Sequence, residues 1–303
     1  MKKVMINGKN YKLISHYQDD NELRNSFNLL TQQTYNFDFE NWYKSGFWKE
    51  NCILYSLIDN DKMVSHITVS VIDFIVLEEK KRFVQFGTVM TDEQYRKQGL
   101  SRVLMEVVLE EWKDKCDMFY LFANDSVLDF YPKFGFVPVD EYQTSTQISE
   151  IESPYSVRKM DIDNVSDLNL LYDTAKNAEA QFALSMQNNA GQVMFYCNYF
   201  ELFSFKDNLF YIQDLNAIAV ADCEENTLIL YDILVTEKIE IEDVLNALAT
   251  EQTKSAILKF MPINSANYEV TLFKEEDSTL MVMGDKDELL KNNKLMFPML
   301  SHT

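Results

Sequence analysis

The sequence predicts an α+β protein in which one fold, a mixed and mostly antiparallel sheet flanked by helices, is present twice. Runs rich in β-branched and aromatic residues alternate with amphipathic helical patterns, and the order of these elements in the first half recurs in the second. The length of 303 residues is enough for two domains of ordinary size, each with its own core.

The elements of the first half follow from the period of their apolar residues and from the turns between them. A strand and two helical segments come first, then a three-strand meander, then a helix, a strand, a short helix and a last β-rich run. In order, they are predicted at residues 11–17, 20–36, 37–48, 51–79 with 81–90, 100–115, 117–124, 126–134 and 136–148.

The second half repeats this order, with elements predicted at residues 155–162, 165–177, 188–200, 207–236, 241–252, 254–262, 268–273 and 278–283. The similarity extends to the residues themselves, since the segment 102–122 corresponds to the segment 243–260. We therefore predict one domain over 1–152 and a second over 153–303, joined near 149–156. Two unrelated α+β domains would give a similar order, and this alternative stays open.

Composition places the chain among globular proteins. It is 47% hydrophobic and 25% charged, and no stretch reaches the roughly 20 apolar residues of a membrane span. The start of the chain lacks the apolar core and cleavage site of a secretion signal, so a cytoplasmic protein with no membrane partner is expected. A net charge of −20 repels phosphate backbones, which argues against nucleic acid and favours either a cationic acceptor or simply solubility.

Cysteine and histidine are too scattered to suggest a metal centre or a histidine-based nucleophile system. No CxxC spacing occurs, so the cysteines are expected to be reduced and mostly buried thiols, and no metal is expected. The residues concerned are Cys52, Cys116, Cys197, Cys223, His16, His66 and His302.

Glycine is informative because the chain has only 7, and Gly99 directly precedes a helical pattern. The apolar residues of that pattern fall at 100, 103, 104, 107, 108 and 112. The first turn of a helix offers unpaired N–H groups and the positive end of the helix dipole. Arg96, Lys97 and Arg102 add positive charge in an otherwise acidic chain. This combination suits a pyrophosphate group.

Two motifs resemble those of the GNAT superfamily of N-acetyltransferases. The family pattern Q/R-x-x-G-x-G/A is met by Arg96, Lys97, Gln98, Gly99 and Leu100, with Ser101 departing at the last place. The pattern N-x-x-A-x-x-F/L-Y-x-K-x-G-F is matched from Asn124 to Phe136, with Val127 in place of the small residue. Neither the GxGxxG nor the P-loop pattern is present. The resemblance covers Tyr11 to about Ile148 and implies the acyl-CoA N-acyltransferase fold.

The resemblance also implies a site for acetyl-CoA as co-substrate. The strand before the glycine loop would splay from its neighbour and pair with the pantetheine arm, and the helix amides would bind the pyrophosphate. Tyr131 would be the catalytic acid that protonates the departing thiolate, although aromatic packing is an alternative role, as a strand-end cap is for Asn124. The residues expected to bind acetyl-CoA are Val89, Met90, Thr91, Arg96, Lys97, Gln98, Gly99, Leu100, Ser101, Arg102 and Asn124.

The acceptor amine must lose a proton, and the sequence does not single out the group that takes it. His66, Asp38 and Glu40 are candidates, and a chain of water molecules is a competitor. The resemblance to tandem relatives of the enhanced-intracellular-survival type adds the C-terminal carboxylate as a further candidate.

The second half lacks the features of a cofactor loop. Its counterpart, residues 234–248, has no glycine and carries four acids against one lysine, so it would repel a pyrophosphate. We expect a degenerate domain that does not bind CoA and that walls the acceptor site, with a structural lid or a dimer contact as the alternative.

The sequence thus predicts an N-acetyltransferase that moves acetyl from acetyl-CoA directly to a primary amine of a small molecule, with a cationic acceptor favoured and a monomer or homodimer expected. Acetylation of a protein lysine or N-terminus is one alternative. A CoA-binding sensor or interaction protein without turnover is another.

Overall fold

The computed structural model describes residues 2–148, 155–200, 202–283 and 287–302. Its strands β1 to β16 are Lys2–Ile6, Lys9–Ser15, Cys52–Asp59, Lys62–Val76, Glu79–Thr91, Met118–Ala123, Phe136–Pro138, Glu141–Gln147, Val157–Lys159, Leu184–Gln187, Leu209–Ile212, Ala217–Glu224, Thr227–Leu234, Ser255–Leu258, Glu269–Phe273 and Thr279–Met283. Its helices α1 to α7 are Asn21–Tyr35, Glu40–Lys44, Leu100–Trp112, Val165–Lys176, Ala190–Met194, Ile241–Leu248 and Asp287–Asn293. These elements confirm the predicted α+β class.

The first sheet has the strand order β1-β2-β3-β4-β5-β6-β16-β7, with β10 beside the end of β4. Only β5 and β6 are parallel among its described pairs. Helix α3 packs on one face because its apolar residues recur at helical spacing, with Leu100, Leu104, Met105 and Val108 buried. Helix α1 packs on the opposite face through Phe27 and Leu30.

The second sheet has the order β15-β8-β14-β13-β12-β11-β9. It too contains one parallel pair, β13 with β14, and the other described pairs are antiparallel. Helix α6 buries Val244, Leu245 and Ala247 in the core of this sheet. The two sheets are consistent with a duplicated fold.

Each half contributes strands to the sheet of the other, including β10 of the second half, which pairs with β4 in the first sheet. β8 precedes the predicted boundary at residue 152, yet it pairs with β14 and β15 in the second sheet. β16 belongs to the second half, yet it lies between β6 and β7 in the first sheet. The sheets therefore do not follow a single cut in the sequence. The predicted linker lies partly in residues 149–154, outside the described residues, and the domain boundary stays a prediction.

The halves also share one hydrophobic core. Phe39 and Trp42 of the first half pack against Phe195 of the second, with ring centroids 5.3 and 5.1 Å apart. The indole N–H of Trp42 donates to the carbonyl of Gly191 at 2.9 Å. A β-carbon on Gly191 would lie 2.4 Å from the carbonyl oxygen of Phe47, so only glycine permits this close approach.

The structure corrects several predicted elements. Residues 126–134 form two 3₁₀ turns instead of one helix, because Pro132 lacks an N–H and Gly135 turns into the left-handed region at φ 90°. The predicted helix at 188–200 is α5 followed by a π-helical turn. β1, β10 and α7 were not predicted. None of the helices in the described residues is long and apolar enough to cross a membrane.

Candidate active site

The loop between β5 and α3 carries two residues in the left-handed region. Lys97 has φ 62°, and Gly99 has φ 83° at the N-cap of α3. A β-carbon on Gly99 would meet no atom of the described residues within 4 Å. The glycine is therefore required by the backbone conformation and not by a clash within the protein. The open space beside it leaves room for a ligand at the helix N-terminus.

The start of α3 has the features of an anion site. Gly99 provides no side chain to cap the helix, so the first-turn amides are left unpaired by the cap. Arg96 is 57% exposed and bonds the carbonyl of Thr91 at 3.3 Å, while Arg102 pairs with Glu106 at 3.0 Å. Lys97 is exposed and lines the cavity described below. These cations are at the surface, where their side chains can turn to form ion pairs with a bound phosphate group.

Ser101 has a defined role in the protein itself. Its hydroxyl bonds the hydroxyl of Thr91 at 2.6 Å, and Thr91 in turn bonds Ser65 at 2.8 Å. The first turn of α3 is thus tied to the end of β5. A glycine at this position, as in the family pattern, would lose this link, so the departure from the pattern has a structural use.

Strands β5 and β6 separate beside this loop. Their parallel pairing runs from Phe83–Met118 to Phe86–Leu121, although β5 continues to Thr91. Opposite β4 a bulge falls at the same level, because the register shifts between His66 and Thr68. Thr88 in the bulge has φ 40°, a costly value for a β-branched residue. The separation opens a V between the strands.

One cavity of about 970 Å³ occupies this V and extends toward the second half. Eight of the predicted site residues line it, namely Val89, Met90, Thr91, Arg96, Lys97, Ser101, Asn124 and Tyr131. The remaining predicted residues, Gln98, Gly99, Leu100 and Arg102, are not among its lining residues. Leu100 is buried in the core, and Gln98 bonds Asn7 and Tyr11 of the first hairpin at 2.8 and 3.4 Å. The structure thus brings the two motifs together around one space.

Tyr131 is 6% exposed and lies in this cavity between Phe130 and Phe136. Burial raises the pKa of its hydroxyl, and the nearby Tyr35 raises it further. No hydrogen-bond partner for this hydroxyl is present among the described residues. Tyr131 is therefore protonated at neutral pH and has a proton to offer to a group in the cavity.

Tyr35 is a site residue that the sequence argument missed. Its hydroxyl donates to the carbonyl of Val89 at 3.0 Å, so this acceptor on the inner edge of β5 is already in use. Burial raises the pKa of Tyr35 to about 12, with Arg96 acting in the opposite direction. Its position on α1, 54 residues from Val89, left no local signal in the sequence.

Asn124 connects the site to the second half. Its side-chain amide donates to the carbonyl and the carboxylate of Asp277, at 3.0 and 3.1 Å. Asp277 also accepts from the amide of Asp125 at 2.8 Å. Asn124 lines the cavity, but its side-chain N–H groups donate to the turn between β15 and β16. It therefore has a structural role, and a contact with the cofactor stays a prediction.

The candidate bases lie apart from the cavity wall. His66 is fully buried, and burial lowers its pKa to about 3. It reaches the cavity only through Thr68, at 2.8 Å, which bonds Thr88. Glu40 pairs with Arg24 at 2.9 Å, and this bond lowers its pKa. Asp38 caps the backbone of Glu40 at 2.9 Å. None of these three side chains lines the cavity among the described residues.

His302, close to the C-terminus, lines the cavity. From the sequence, this region offered only the C-terminal carboxylate as a candidate base. His302 stacks on Phe122 with ring centroids 4.1 Å apart, and bonds Glu275 at 3.3 Å and the carbonyl of Phe297 at 3.1 Å. Burial acts to lower the pKa of His302, but Glu141 and Glu275 outweigh it and the pKa is raised. Thr303, which carries the predicted C-terminal carboxylate, lies outside the described residues.

Aromatic residues of the second half close the far side of the cavity. Within the aromatic-rich segment 195–205, Phe195, Tyr196 and Phe205 are buried in the core. Phe195, Tyr196 and Phe200 also line the cavity, so the segment serves both roles. The described residues include no cluster of His, Cys, Asp and Glu side chains able to hold a metal ion.

Comparison with known proteins identifies the class of protein. Residues 17–136 match the model of the acetyltransferase (GNAT) family. This part of the chain is therefore a GNAT acetyltransferase domain, and the resemblance of the two motifs is confirmed at the level of the family. The protein accordingly contains an acetyltransferase domain of the GNAT type over residues 17–136. No curated protein sequence matches the chain.

Solved structures share the architecture along most of the chain. A conserved protein from Enterococcus faecalis V583 is 11% identical, with a TM-score of 0.58, covering 93% of this chain and 74% of that one. Eis1 from Mycobacterium abscessus is 9% identical, with a TM-score of 0.57 and coverage of 89% and 72%. A GCN5-related N-acetyltransferase from Kribbella flavida is 14% identical, with a TM-score of 0.53 and coverage of 90% and 71%. At these identities the likeness concerns the fold.

Proposed function

We propose that the protein transfers the acetyl group of acetyl-CoA to the primary amine of a small molecule, directly and within a ternary complex. One observation carries this proposal: the cavity joins the glycine loop, the open V between β5 and β6, and Tyr131. The second half supplies the far wall of the same space, which supports its role as a degenerate domain that shapes the acceptor site.

The proposed binding mode follows from the residues present. The first-turn amides of α3 and the exposed Arg96 and Lys97 would hold the pyrophosphate. The edge of β5 beyond its last pair with β6 would receive the pantetheine arm, which would have to share or displace the bond from Tyr35 to the Val89 carbonyl. Room for the pyrophosphate exists, since no atom of the described residues lies within 4 Å of the β-carbon position of Gly99. The space beyond Thr88 is left for the amine.

The proposed chemistry is a balanced acyl transfer. The amine nitrogen forms a bond to the thioester carbon, the carbon–sulfur bond breaks with its electron pair on sulfur, and the nitrogen releases one proton. A strand N–H would stabilise the oxyanion, and Tyr131 would give its proton to the thiolate. The raised pKa of Tyr131 keeps its hydroxyl protonated but also makes it a weaker acid, so the transfer requires a thiolate whose basicity is raised by burial in the same cavity. The proton from nitrogen would leave by water, since His66 is too buried to hold it.

Four free cysteines among the described residues support a reducing compartment, so we propose the cytoplasm as the location.

The alternative of a CoA-binding sensor differs from the enzyme only in turnover. A thiol-release assay with acetyl-CoA over a panel of amines and peptides decides between them. Binding of CoA with no thiol release on any acceptor would refute the enzyme, and release only on peptides would move the acceptor to proteins.

A further inference from the structure

The acceptor side of the cavity is an aromatic wall built by both halves. Phe37 and Phe39 of the first half contact Phe200 and Phe195 of the second, with ring centroids 5.1 and 5.3 Å apart. Phe195 and Phe200 stack on each other at 5.2 Å. Trp42 completes the wall, and all five residues line the cavity. Their faces offer apolar surface and ring contacts to an occupant.

The polar side chains of this wall are already paired with one another. Asn51 bonds Asn189, and Asn189 donates to Gln192 at 2.5 Å. Gln192 in turn donates to Gln85 at 3.5 Å, and the indole N–H of Trp42 is held by a backbone carbonyl. These bonds fix the rotamers of the wall and use its donors. The wall therefore presents shape and aromatic surface more than hydrogen-bonding groups.

Charge is absent from this wall among the described residues. Asp129 is the one carboxylate among the described lining residues, and it belongs to the second motif, beside Phe130. The lining cations Arg96, Lys97 and Lys133 also belong to the two motifs. His302 is held by Glu275 and by a backbone carbonyl. A polyamine or an aminosugar brings several ammonium groups, and each would be buried here without a carboxylate partner. Burying an unpaired charge costs several kcal/mol, on the order of the whole binding energy of a small ligand.

We propose that the acceptor is a small aromatic amine that carries one amino group and no second charge. The ring would pack against the partly exposed Phe200 and the cavity-facing edges of Phe39 and Phe195, whose faces already stack on other rings. The nitrogen would point toward the bulge at Thr88. An amine bonded directly to a ring is neutral at neutral pH, which fits a wall whose described residues contain no carboxylate base. This inference rests on the proposed transfer to an amine and narrows it away from the polycationic acceptors that the net charge favoured.

The test compares acceptors on the full-length protein. p-Anisidine and p-toluidine are compared with spermidine and kanamycin in the thiol-release assay, and tryptophan fluorescence measures binding of p-anisidine in the absence of turnover. We expect kcat/KM to be at least about tenfold higher for the aromatic amines, the factor that about 1.4 kcal/mol of differential binding produces. Preference for spermidine or kanamycin would overturn the aromatic acceptor and leave the amine acetyltransferase intact. No release on any amine would refute both.

Variants of one segment make the test specific to the wall. Phe200→Ala should raise KM for p-anisidine by about tenfold and leave KM for acetyl-CoA unchanged, because a partly buried ring contributes on the order of 1–2 kcal/mol. Phe203→Ala is the matched control, since Phe203 is 54% exposed and does not line the cavity. Phe200→Asp should improve spermidine relative to p-anisidine. Equal effects of the Phe200 and Phe203 variants, or no change in acceptor preference with Asp, would contradict the proposal.

Discussion

The two halves of the chain contain the same opening between parallel strands, and only one of them keeps it open. In the first half, β5 pairs with β6 over four residues and then continues alone, and in the second half β13 does the same with β14. The space beside the first opening measures about 970 Å³, while the cavity at the second measures about 20 Å³. The second is large enough for about one water molecule.

The second opening is filled by the chain itself. The amide of Glu179 donates to the carbonyl of Val235, just past the end of β13, at 2.7 Å. Gln181 accepts from the amide of Ile239 and donates to the carbonyl of Glu237, both at 3.3 Å. The backbone groups that a cofactor arm would use are thus already paired. A repeated fold therefore does not repeat a site unless the strand edge and the loop stay free.

The loops differ in backbone as well as in charge. Gly99 starts α3 in the left-handed region, whereas Glu240 starts α6 in an extended conformation. The first turn of α6 contains Glu242 and Asp243, whose negative charges already interact with the positive end of the helix dipole. An anion site needs a free and positive helix start, and of these two helices α3 offers one.

The largest effect expected is at Gly99. Gly99→Val should reduce CoA affinity by more than about a hundredfold, because a β-branched residue at φ 83° forces the loop to move and its branches enter the open space beside the helix. Isothermal titration calorimetry measures the affinity, and circular dichroism verifies folding. Ser101→Gly is the control and should stay within a few-fold, since it loses only the bond to Thr91. Near-normal binding by the valine variant would place the pyrophosphate elsewhere.

The next effect concerns catalysis in the open half. Tyr131→Phe should lower kcat by about 10²- to 10³-fold, in the range of general acid catalysis, and change the Kd for acetyl-CoA by less than about threefold. The ring is retained, so its packing between Phe130 and Phe136 is preserved. Steady-state kinetics and calorimetry separate the two parameters. An equal loss in both would assign Tyr131 to packing.

The closed opening contains a buried carboxyl, Asp232, whose effect on stability should depend on pH. Asp232 stands two residues beyond the last parallel pair of β13, as Thr88 does on β5, and burial raises its pKa to about 7. The folded pKa exceeds the unfolded value of about 3.9, so the folded state holds its proton while the unfolded state loses one, and stability falls as pH rises from about 4 to about 7. Asp232→Asn should therefore raise the free energy of unfolding at pH 8 by about 2–4 kcal/mol and little at pH 4.

Urea unfolding at both pH values checks this expectation, and the asparagine keeps the bond from the amide of Ile233, at 2.7 Å in the wild type. A gain of the same size at pH 4 and pH 8 would show that the carboxyl is not the titrating group.

Reversing the charge at the start of α6 should leave the number of CoA sites unchanged. The wild-type chain should bind one CoA, and the variant Glu240→Lys with Glu242→Lys should still bind one, because the backbone at Val235 and Ile239 stays occupied by the segment 179–181. Calorimetric stoichiometry measures this directly. A second site in the double variant would mean that charge alone had closed the second half.

Much of the site was predictable because its determinants are close together in the sequence. The helix after Gly99 begins at Leu100 as predicted, and both motifs meet at one cavity. The left-handed backbone that requires a glycine at position 99 was not predictable from the spacing of apolar residues. The helix predicted at 126–134 failed because apolar spacing alone does not register the missing N–H of Pro132.

The sequence by itself determined the fold class, the family-like motifs and the position of the helix start, since each depends on a period or spacing of a few residues. The tertiary structure decided what no local pattern records: the exchange of β8 and β16, the bond from Tyr35 to Val89, and the arrival of His302 at the cavity. It also decided that 179–181 closes the second opening. An apolar period states that a face is buried, but the partner that buries it can come from any part of the chain.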